Sequence, residues 1–307
     1  MWHVKMSVPG SPHAADLNYF RVANFILYMK GRFTLEFHYP FDLDAFQARY
    51  ASTDADVLTF VDFLPSSALA ESPQLRVQED DRAVLEISNF DEWWTHTEKR
   101  TRNMVRRAKK CGVEVRPVAI DERLFEDACR LYNETHIRQG RLYSGYGTRK
   151  EHLRERYLNL RDPEIIGAFY DDKMIAMIHL ICANSVATVR TILISEMSRK
   201  TLPNNAGINY ALIATAINRC SELGIRKMIY GRLGWQPNLD FVKRSLGFTY
   251  KTIPRYYLPL TSRGAKVMKL GLHKENWMFF PRVVGKRVFP IVDSFETLRV
   301  WAAAFHL

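Results

Sequence analysis

The residues of this chain whose types and spacing could do chemistry lie at the start of a long apolar helix. Asn205 is a good helix N-cap, and Ala206 and Gly207 leave the backbone bare where the helix would begin. Free N–H groups and the helix dipole attract phosphate at such an end. Arg199 and Lys200 lie just upstream and could add positive charge. The segment predicts a phosphate site, although an ordinary capped helix packed on a sheet would use the same residues.

A second set of residues forms a positively charged helix face. Residues 89–112 predict one amphipathic helix, which begins with a capping box of Asn89 and Glu92 and ends at Gly112. Its polar face carries only basic side chains: Lys99, Arg100, Arg102, Arg106, Arg107, Lys109 and Lys110. A face of one sign loses about 0.2–0.5 kcal/mol per like-charged pair. We therefore expect this face to contact an anionic partner, with plain solvation as the alternative.

A third set lies in a loop rich in glycine and tyrosine at residues 139–147. The loop follows a helix predicted over 121–138, and loops of this content often bind ligands. We expect four residues here to contact a substrate: Arg138, Arg141, Tyr143 and Tyr146.

Strands and helices must position these three sets. The pattern predicts an antiparallel meander of three strands, at residues 164–170, 173–183 and 186–195. The meander leads into the helix capped by Asn205, and Gly224 ends that helix. Four further elements are expected: strands at 57–63, 83–87 and 113–118, and a short helix at 239–246. The pattern predicts a mixed α/β architecture.

Composition limits the class of protein. The 307 residues have a net charge of +11, which is concentrated in residues 99–116 and 262–307. Two localised basic segments suggest two surfaces for something anionic. The four cysteines and nine histidines show no metal-ligand spacing, so we expect no metal site and a reducing compartment. The sequence has no apolar run long enough to span a membrane and no signal peptide, so we expect a cytoplasmic protein.

The order of elements over residues 204–248 resembles the second half of the GNAT acyltransferase fold, and more closely its FemAB-like branch. The basic helix is similar too, with a start that contains Trp93 and Trp94 and an end at Gly112. The end of the segment that resembles the family is also similar: Lys243 precedes Gly247-Phe248 and a last strand that bears tyrosines.

The resemblance implies a GNAT-like fold: a mixed, largely antiparallel splayed sheet flanked by helices. It also implies three regions, which are a partial N-terminal α/β unit (1–88), a catalytic domain (89–260) and a basic, aromatic C-terminal extension (261–307). Trp277, Phe279 and Phe280 lie in that extension.

The resemblance further implies an N-acyltransferase in which an amine attacks an acyl donor directly. A base must take the amine proton, and Glu134 and Glu196 are the first residues to test. Tyr230 and Tyr256 are further catalytic candidates. Two more basic residues, Arg232 and Lys243, join the phosphate-binding segment 199–207 as expected donor-binding residues, namely Arg199, Lys200, Asn204, Asn205, Ala206 and Gly207. His136 and His179 are expected to be structural.

The donor and the partners are less defined. We expect acetyl-CoA or another acyl-CoA, because an RNA donor would call for a larger body, and an amine acceptor that is small or peptide-like. One alternative is a FemAB-like transferase that uses aminoacyl-tRNA. The other is a protein without catalytic activity that binds RNA or an anionic membrane through its two basic segments.

Overall fold

A computed structural model of the chain describes residues 18–23, 28–34, 43, 48, 56–61, 67–138, 141–143, 145–158, 163–183, 185–202, 207–231 and 237–269. The described strands are β1 (Asn18–Ala23), β2 (Tyr28–Thr34), β3 (Val57–Val61), β4 (Arg76–Glu86), β5 (Glu114–Pro117), β6 (Ile137–Arg138), β7 (Arg141–Leu142), β8 (Pro163–Tyr170), β9 (Lys173–Ala183), β10 (Val186–Ile194), β11 (Lys227–Ile229) and β12 (Thr249–Pro259).

The described helices, in chain order, are α1 (Ser67–Ala70), α2 (Phe90–His96), α3 (Lys99–Lys110), α4 (Glu122–Asn133), α5 (Lys150–Leu158), α6 (Glu196–Thr201), α7 (Ile208–Glu222), α8 (Pro237–Ser245) and α9 (Ser262–Lys269). Trp277, Phe279 and Phe280 of the C-terminal extension lie outside the described residues.

Ten strands of the described part form one sheet, in the order β1-β2-β3-β12-β4-β11-β10-β9-β8-β5. Neighbours are antiparallel except for two parallel pairs, β2 with β3 and β10 with β11. The fold class expected from the sequence, a mixed and largely antiparallel sheet with flanking helices, is confirmed. The division into three regions stays a prediction; β3 and β4 of the first region pair with β12 of the second.

Helices cover both faces of the sheet because its central strands are apolar on both sides. On β9, Ile178 and Leu180 face the core that holds α7, whereas Met177 faces the core that holds α4 and α5. This alternation follows from the two-residue period of a strand. α7 is apolar nearly all round since it packs between the sheet and α3. The two faces therefore present two separate surroundings for function.

Half of the capping box at Asn89 is confirmed: the Asn89 side chain accepts from the backbone N–H of Glu92 at 2.8 Å. The Glu92 carboxylate accepts instead from the side chains of Ser88 and Asn89. The single helix predicted over 89–112 is wrong, because α2 ends at His96 and α3 begins at Lys99. Thr97 between them is extended, with ψ of 154°.

Tertiary hydrogen bonds hold this break. Trp93 on α2 donates to the carbonyl of Leu246 at 2.9 Å, and Thr101 on α3 donates to the carbonyl of Ser245 at 2.7 Å. Arg102 fills the gap and donates to three carbonyls at the end of α2. These partners lie about 140 residues away or across the break, so local periodicity could not reveal them.

Two further boundaries differ from the prediction. The helix expected over 121–138 ends at Asn133, and Arg138 belongs to the short hairpin of β6 and β7. The predicted N-cap of α7, Asn205, is wrong, because Gly207 occupies that position with φ of 71°. Only glycine fits there, since a Cβ would lie 2.1 Å from the Met104 carbonyl oxygen of α3.

We expect Gly207→Ala to destabilise the protein more than Gly224→Ala does. Both glycines have left-handed φ values, which cost an alanine roughly 1–2 kcal/mol, but a Cβ at Gly224 would meet nothing within 4 Å. At Gly207 the clash with Met104 adds about 1–3 kcal/mol. Urea unfolding of the two variants measures the difference. Equal losses would show that the start of α7 can move away from α3.

Candidate active site

The sheet opens where β10 and β11 part. The two strands pair in parallel only between Val186 and Thr188 on β10 and between Lys227 and Ile229 on β11. β11 ends there, whereas β10 continues to Ile194 after a register shift near Val189. Ligands of α/β sheets bind at such points, at the carboxyl ends of the strands. We call this point the strand opening.

The N-terminus of α7 lies beside the strand opening, because α7 is the crossover between β10 and β11. Gly207 has no side chain to cap the helix, so the first backbone N–H groups of α7 receive no side-chain cap from it. Such an end favours an anion through its N–H groups and its dipole. The phosphate site expected at the start of α7 stays a prediction.

Tyr230 follows β11 at the strand opening. Its hydroxyl lies near the side chain of Asn209 in the first turn of α7, and its ring meets Phe248 edge-on at 5.8 Å. Burial raises the pKa of Tyr230 and outweighs the opposing effect of Asn209, so the hydroxyl keeps its proton at neutral pH. The Asn209 Oδ1 atom is buried and has no hydrogen-bond partner among the described residues.

Lys243 of α8 completes this side of the site. The side chain is only 3% exposed, and Nζ lies 4.7 Å from the centre of the Tyr230 ring. Burial lowers the pKa of Lys243 to about 8; Asp240 opposes this shift and Arg82 adds to it. An ammonium in these surroundings is a strong point of attraction for a phosphate or a developing oxyanion.

Glu134 and Glu196 meet at the carboxyl end of β10. The Glu134 carboxylate accepts from the Ser195 hydroxyl at 2.7 Å and from the backbone N–H groups of Glu196 and Met197 at 2.9 and 3.0 Å. Burial raises the pKa of Glu134, but these hydrogen bonds and the charge of Arg138 together bring it below its ordinary value. Glu134 therefore caps α6 as an ionised group, and its catalytic role stays a prediction.

The predicted substrate-contacting residues lie on the opposite face of the sheet from α7. Arg138 donates to the carbonyls of Leu131 and Ile194 at 2.6 and 3.2 Å, and its guanidinium lies 4.7 Å from the centre of the Tyr143 ring. Tyr146 is half exposed, with its ring edge-on to His136. The side chain of Arg141 lies outside the described part of the structure.

Other predicted site residues lie elsewhere or outside the described residues. Tyr256 is buried and stacks on Phe60 at 5.5 Å, in an apolar cluster between β12 and β3. The structure does not bring it to Tyr230 or Lys243. Arg199 and Lys200 lie in α6, with side chains that are not described. Four predicted donor-binding residues fall outside the described residues: Asn204, Asn205, Ala206 and Arg232.

Sequence reasoning missed several neighbours of Lys243 and Tyr230. Asn209 is a polar residue in the first turn of an otherwise apolar helix, and that contrast was a usable signal. Arg82 and Asp240 gave no such signal. Arg82 lies on a strand with many charged residues, and Asp240 lies on an ordinary amphipathic helix.

Two absences concern only the described residues. The described residues include no group of three or more His, Cys, Asp or Glu side chains that could hold a metal ion. Among them, no helix is both long and apolar enough to cross a bilayer.

The buried charge of Lys243 predicts a pH-dependent stability. Its pKa is about 8 in the folded protein against an ordinary 10.5, so the unfolded chain binds more protons between these values. The free energy of unfolding should therefore rise with pH in this range. We expect Lys243→Met to stabilise the protein at pH 7 by roughly 1–3 kcal/mol, with the gain shrinking toward pH 10.

Chemical denaturation at pH 7 and pH 9.5 measures this difference. Lys251→Met, which removes an exposed lysine of β12, is the matched control and should change stability little. A Lys243→Met chain that is less stable than wild type at both pH values would contradict the prediction.

Comparison with known proteins shows similarity in structure alone. No protein-family model matches the sequence, and no curated protein matches it significantly. FemX superposes with a TM-score of 0.57 at 13% identity, over 84% of this chain and 87% of that chain. L-PGS from Bacillus licheniformis gives 0.51 at 11% identity, over 84% and 90%.

A third structure is the C-terminal domain of a protein described as a lysylphosphatidylglycerol synthetase, from Agrobacterium fabrum. It superposes with a TM-score of 0.50 at 12% identity, over 85% of this chain and 92% of that chain. At such low identity the likeness speaks for the fold and not for a substrate. The open sheet, with β10 and β11 parting beside the start of α7, is thus the FemAB-like form of the GNAT fold.

Proposed function

We propose that the protein transfers an activated acyl or aminoacyl group to an amine at the strand opening. The observation that carries this proposal is the buried Lys243 ammonium beside the uncapped start of α7 and the Tyr230 hydroxyl. A buried cation and the N–H groups of a helix start that has no side-chain cap from Gly207 suit the phosphates of a donor and the oxyanion that forms during transfer. The FemAB-like fold supports the same class of reaction.

The chemistry requires three tasks at this point. The amine nitrogen forms a bond to the acyl carbon, and the bond from that carbon to the carrier's oxygen or sulfur breaks. Lys243 would stabilise the oxyanion between these steps, and Tyr230 would give its proton to the leaving atom. The amine must lose a proton, and either Glu134 or Glu196, at the end of β10, would accept it directly or through water.

For the donor we favour an aminoacyl-tRNA. α3 packs beside the start of α7, where Met104 touches Gly207. Six basic side chains on α3 make no ion pair with any described residue: Lys99, Arg100, Arg106, Arg107, Lys109 and Lys110. A nucleic acid held at the start of α7 could therefore continue along α3, with phosphates against these cations.

Size does not argue against an RNA donor. The sequence led us to expect a thioester because an RNA donor seemed to need a larger body. However, 84% of this chain covers 87% of the FemX chain, so the two proteins are of similar length. The name lysylphosphatidylglycerol also describes a lysyl group joined to a lipid, which is a product of aminoacyl transfer.

An acyl-CoA donor is the second candidate. The phosphates of such a donor would suit the start of α7, where the sequence predicts a phosphate site, and would not need the basic face of α3. The two donors thus differ in whether α3 takes part.

Transfer assays with charged tRNA and with acyl-CoA, each supplied with a mixture of amines, test the proposal. We expect product from charged tRNA and a loss of about 10²–10³ in kcat for Lys243→Met, since that change removes an oxyanion partner. Lys251→Met should retain the wild-type rate. No product from either donor, or full activity of Lys243→Met, would refute the proposal.

The basic face of α3 separates the donors. We expect Arg106→Gln with Lys110→Gln to weaken tRNA binding and to reduce the slope of log affinity against log salt by about 2, since two phosphate contacts are lost. The matched control removes two cations of α5, by Lys150→Gln with Arg154→Gln; these residues already pair with Glu122 and Glu126. An equal loss in both variants would indicate general attraction to charge.

A further inference from the structure

We infer that a polar cluster on the sheet face opposite α7 binds an anionic group of the acceptor, either a carboxylate or a phosphate. The cluster consists of Arg138, Arg156 and Arg190 with Tyr157 and His179, and we call it the arginine cluster. Its assignment to the acceptor rests on the proposed transfer, whereas its affinity for an anion does not.

The floor of the arginine cluster holds two polar atoms that have no hydrogen-bond partner in the described part of the chain. Tyr157 on α5 and His179 on β9 are each 1% exposed, with ring centres 5.0 Å apart in an edge-to-face arrangement. The Tyr157 hydroxyl and His179 Nε2 make no hydrogen bond with any described residue. Burial raises the pKa of Tyr157 and the neighbouring Tyr132 raises it further, but no hydrogen bond of ordinary geometry joins the two side chains.

Unpartnered buried polar atoms are costly, at about 1–3 kcal/mol each. Phenylalanine and leucine would fill the same space without that cost, because the surrounding residues Leu153, Met177 and Phe125 are apolar. Burial keeps His179 neutral, and in the Nε2–H tautomer it donates as Tyr157 does. Two neighbouring buried groups without a partner are explained by an acceptor atom that a ligand brings.

Positive charge surrounds these donors. Burial raises the pKa of Tyr157 and lowers that of His179; the charges of Arg156 and Arg190 oppose the first shift and add to the second, so both arginines lie nearby. Arg138 uses its two terminal nitrogens on carbonyls, and its Nε is buried without a partner among the described residues. That Nε–H is a third donor. Each arginine is partly exposed, so the arginine cluster reaches the surface.

The acidic side chain beside Arg138 is already engaged. Glu134 lowers the net charge by one, but its carboxylate accepts from Ser195 and from two backbone N–H groups. The charges of Arg138 and Arg156, which make no ion pair with any described residue, keep the arginine cluster positive. An oxyanion accepts several N–H and O–H bonds at once, which matches the three unused donors better than a neutral ligand would.

The arginine cluster lies next to the strand opening. His179 pairs with Thr191 of β10, just beyond the register shift at which β10 leaves β11. Arg138 is bonded to the carbonyl of Ile194, the last residue of β10. An acceptor that holds its anionic group here would place an amine several bonds away at the strand opening. The molecule recognised is therefore an amine that also carries a carboxylate or a phosphate.

Binding of inorganic phosphate and of acetate to the whole protein tests the site without any transfer. We expect saturable shifts of the His179 ring signals in NMR titrations, with sodium chloride at equal ionic strength as the reference. The anion that binds more tightly shows whether the acceptor's anionic group is a phosphate or a carboxylate. Absence of saturable binding by both anions would overturn the inference, even if transfer were observed.

Three variants make the test specific. Tyr157→Phe removes only a hydroxyl, and Arg156→Gln removes one charge; we expect each to weaken anion binding about tenfold. Arg154→Gln, on the exposed side of the same helix, should change binding less than twofold. Tyr157→Phe should also melt no lower than wild type, because it deletes an unpartnered group. Unchanged binding in both cluster variants, or an equal loss in Arg154→Gln, would refute the site.

The acceptor role is tested with paired amines once a donor is found. Phosphoethanolamine is compared with ethanolamine, and glycine with glycinamide. Arg156→Gln should raise KM for the charged member of one pair about tenfold and leave kcat and the neutral member unchanged. An equal change in KM for charged and neutral members would refute the acceptor role. Saturable anion binding without transfer from any donor would support the anion site but reject the proposed function.

Discussion

The short parallel pairing of β10 and β11 is the constraint on which the rest of the site depends. Three residues of each strand are in register, and then the strands separate. Parallel strands need a crossover, so α7 must run from the end of β10 back to the start of β11. That connection places the N-terminus of α7 at the gap. The open sheet and the position of the start of α7 are thus one topological feature.

A close contact between helices fixes this arrangement. Gly207 approaches the Met104 carbonyl so nearly that no side chain fits between α7 and α3. The contact brings the basic face of α3 to the same side as the helix end. On α8, the Lys243 ammonium stays buried against Tyr230, at a cost in stability that a neutral residue would not have. Stability given up at one buried charge is expected where function needs that charge.

The two faces of the sheet divide the chemistry. The α7 face offers helix N–H groups, Lys243 and Tyr230, and the α4 and α5 face offers three arginines above Tyr157 and His179. Both environments reach β10, because alternate residues of that strand point to opposite faces. A transferase needs its donor and its acceptor to meet from different directions, and a strand with a free edge allows this. Glu134 and Ser195 join the two sides at the end of β10.

The sequence by itself determined the order of elements and hence the fold. The meander of β8 to β10, the apolar helix α7 and the capping box at Asn89 follow from local periodicity and capping, which depend on residues within one or two turns. It also pointed to Lys243 and Tyr230 through their place in that order.

Only the tertiary structure decided how side chains meet. The break after His96 depends on carbonyls at Ser245 and Leu246, the N-cap at Gly207 depends on Met104, and the depressed pKa of Lys243 depends on burial that no local pattern encodes. The arginine cluster likewise joins residues of α5, β6, β9 and β10 that are far apart in sequence. Contacts of this kind arise from packing between elements, and a single sequence carries no direct record of them.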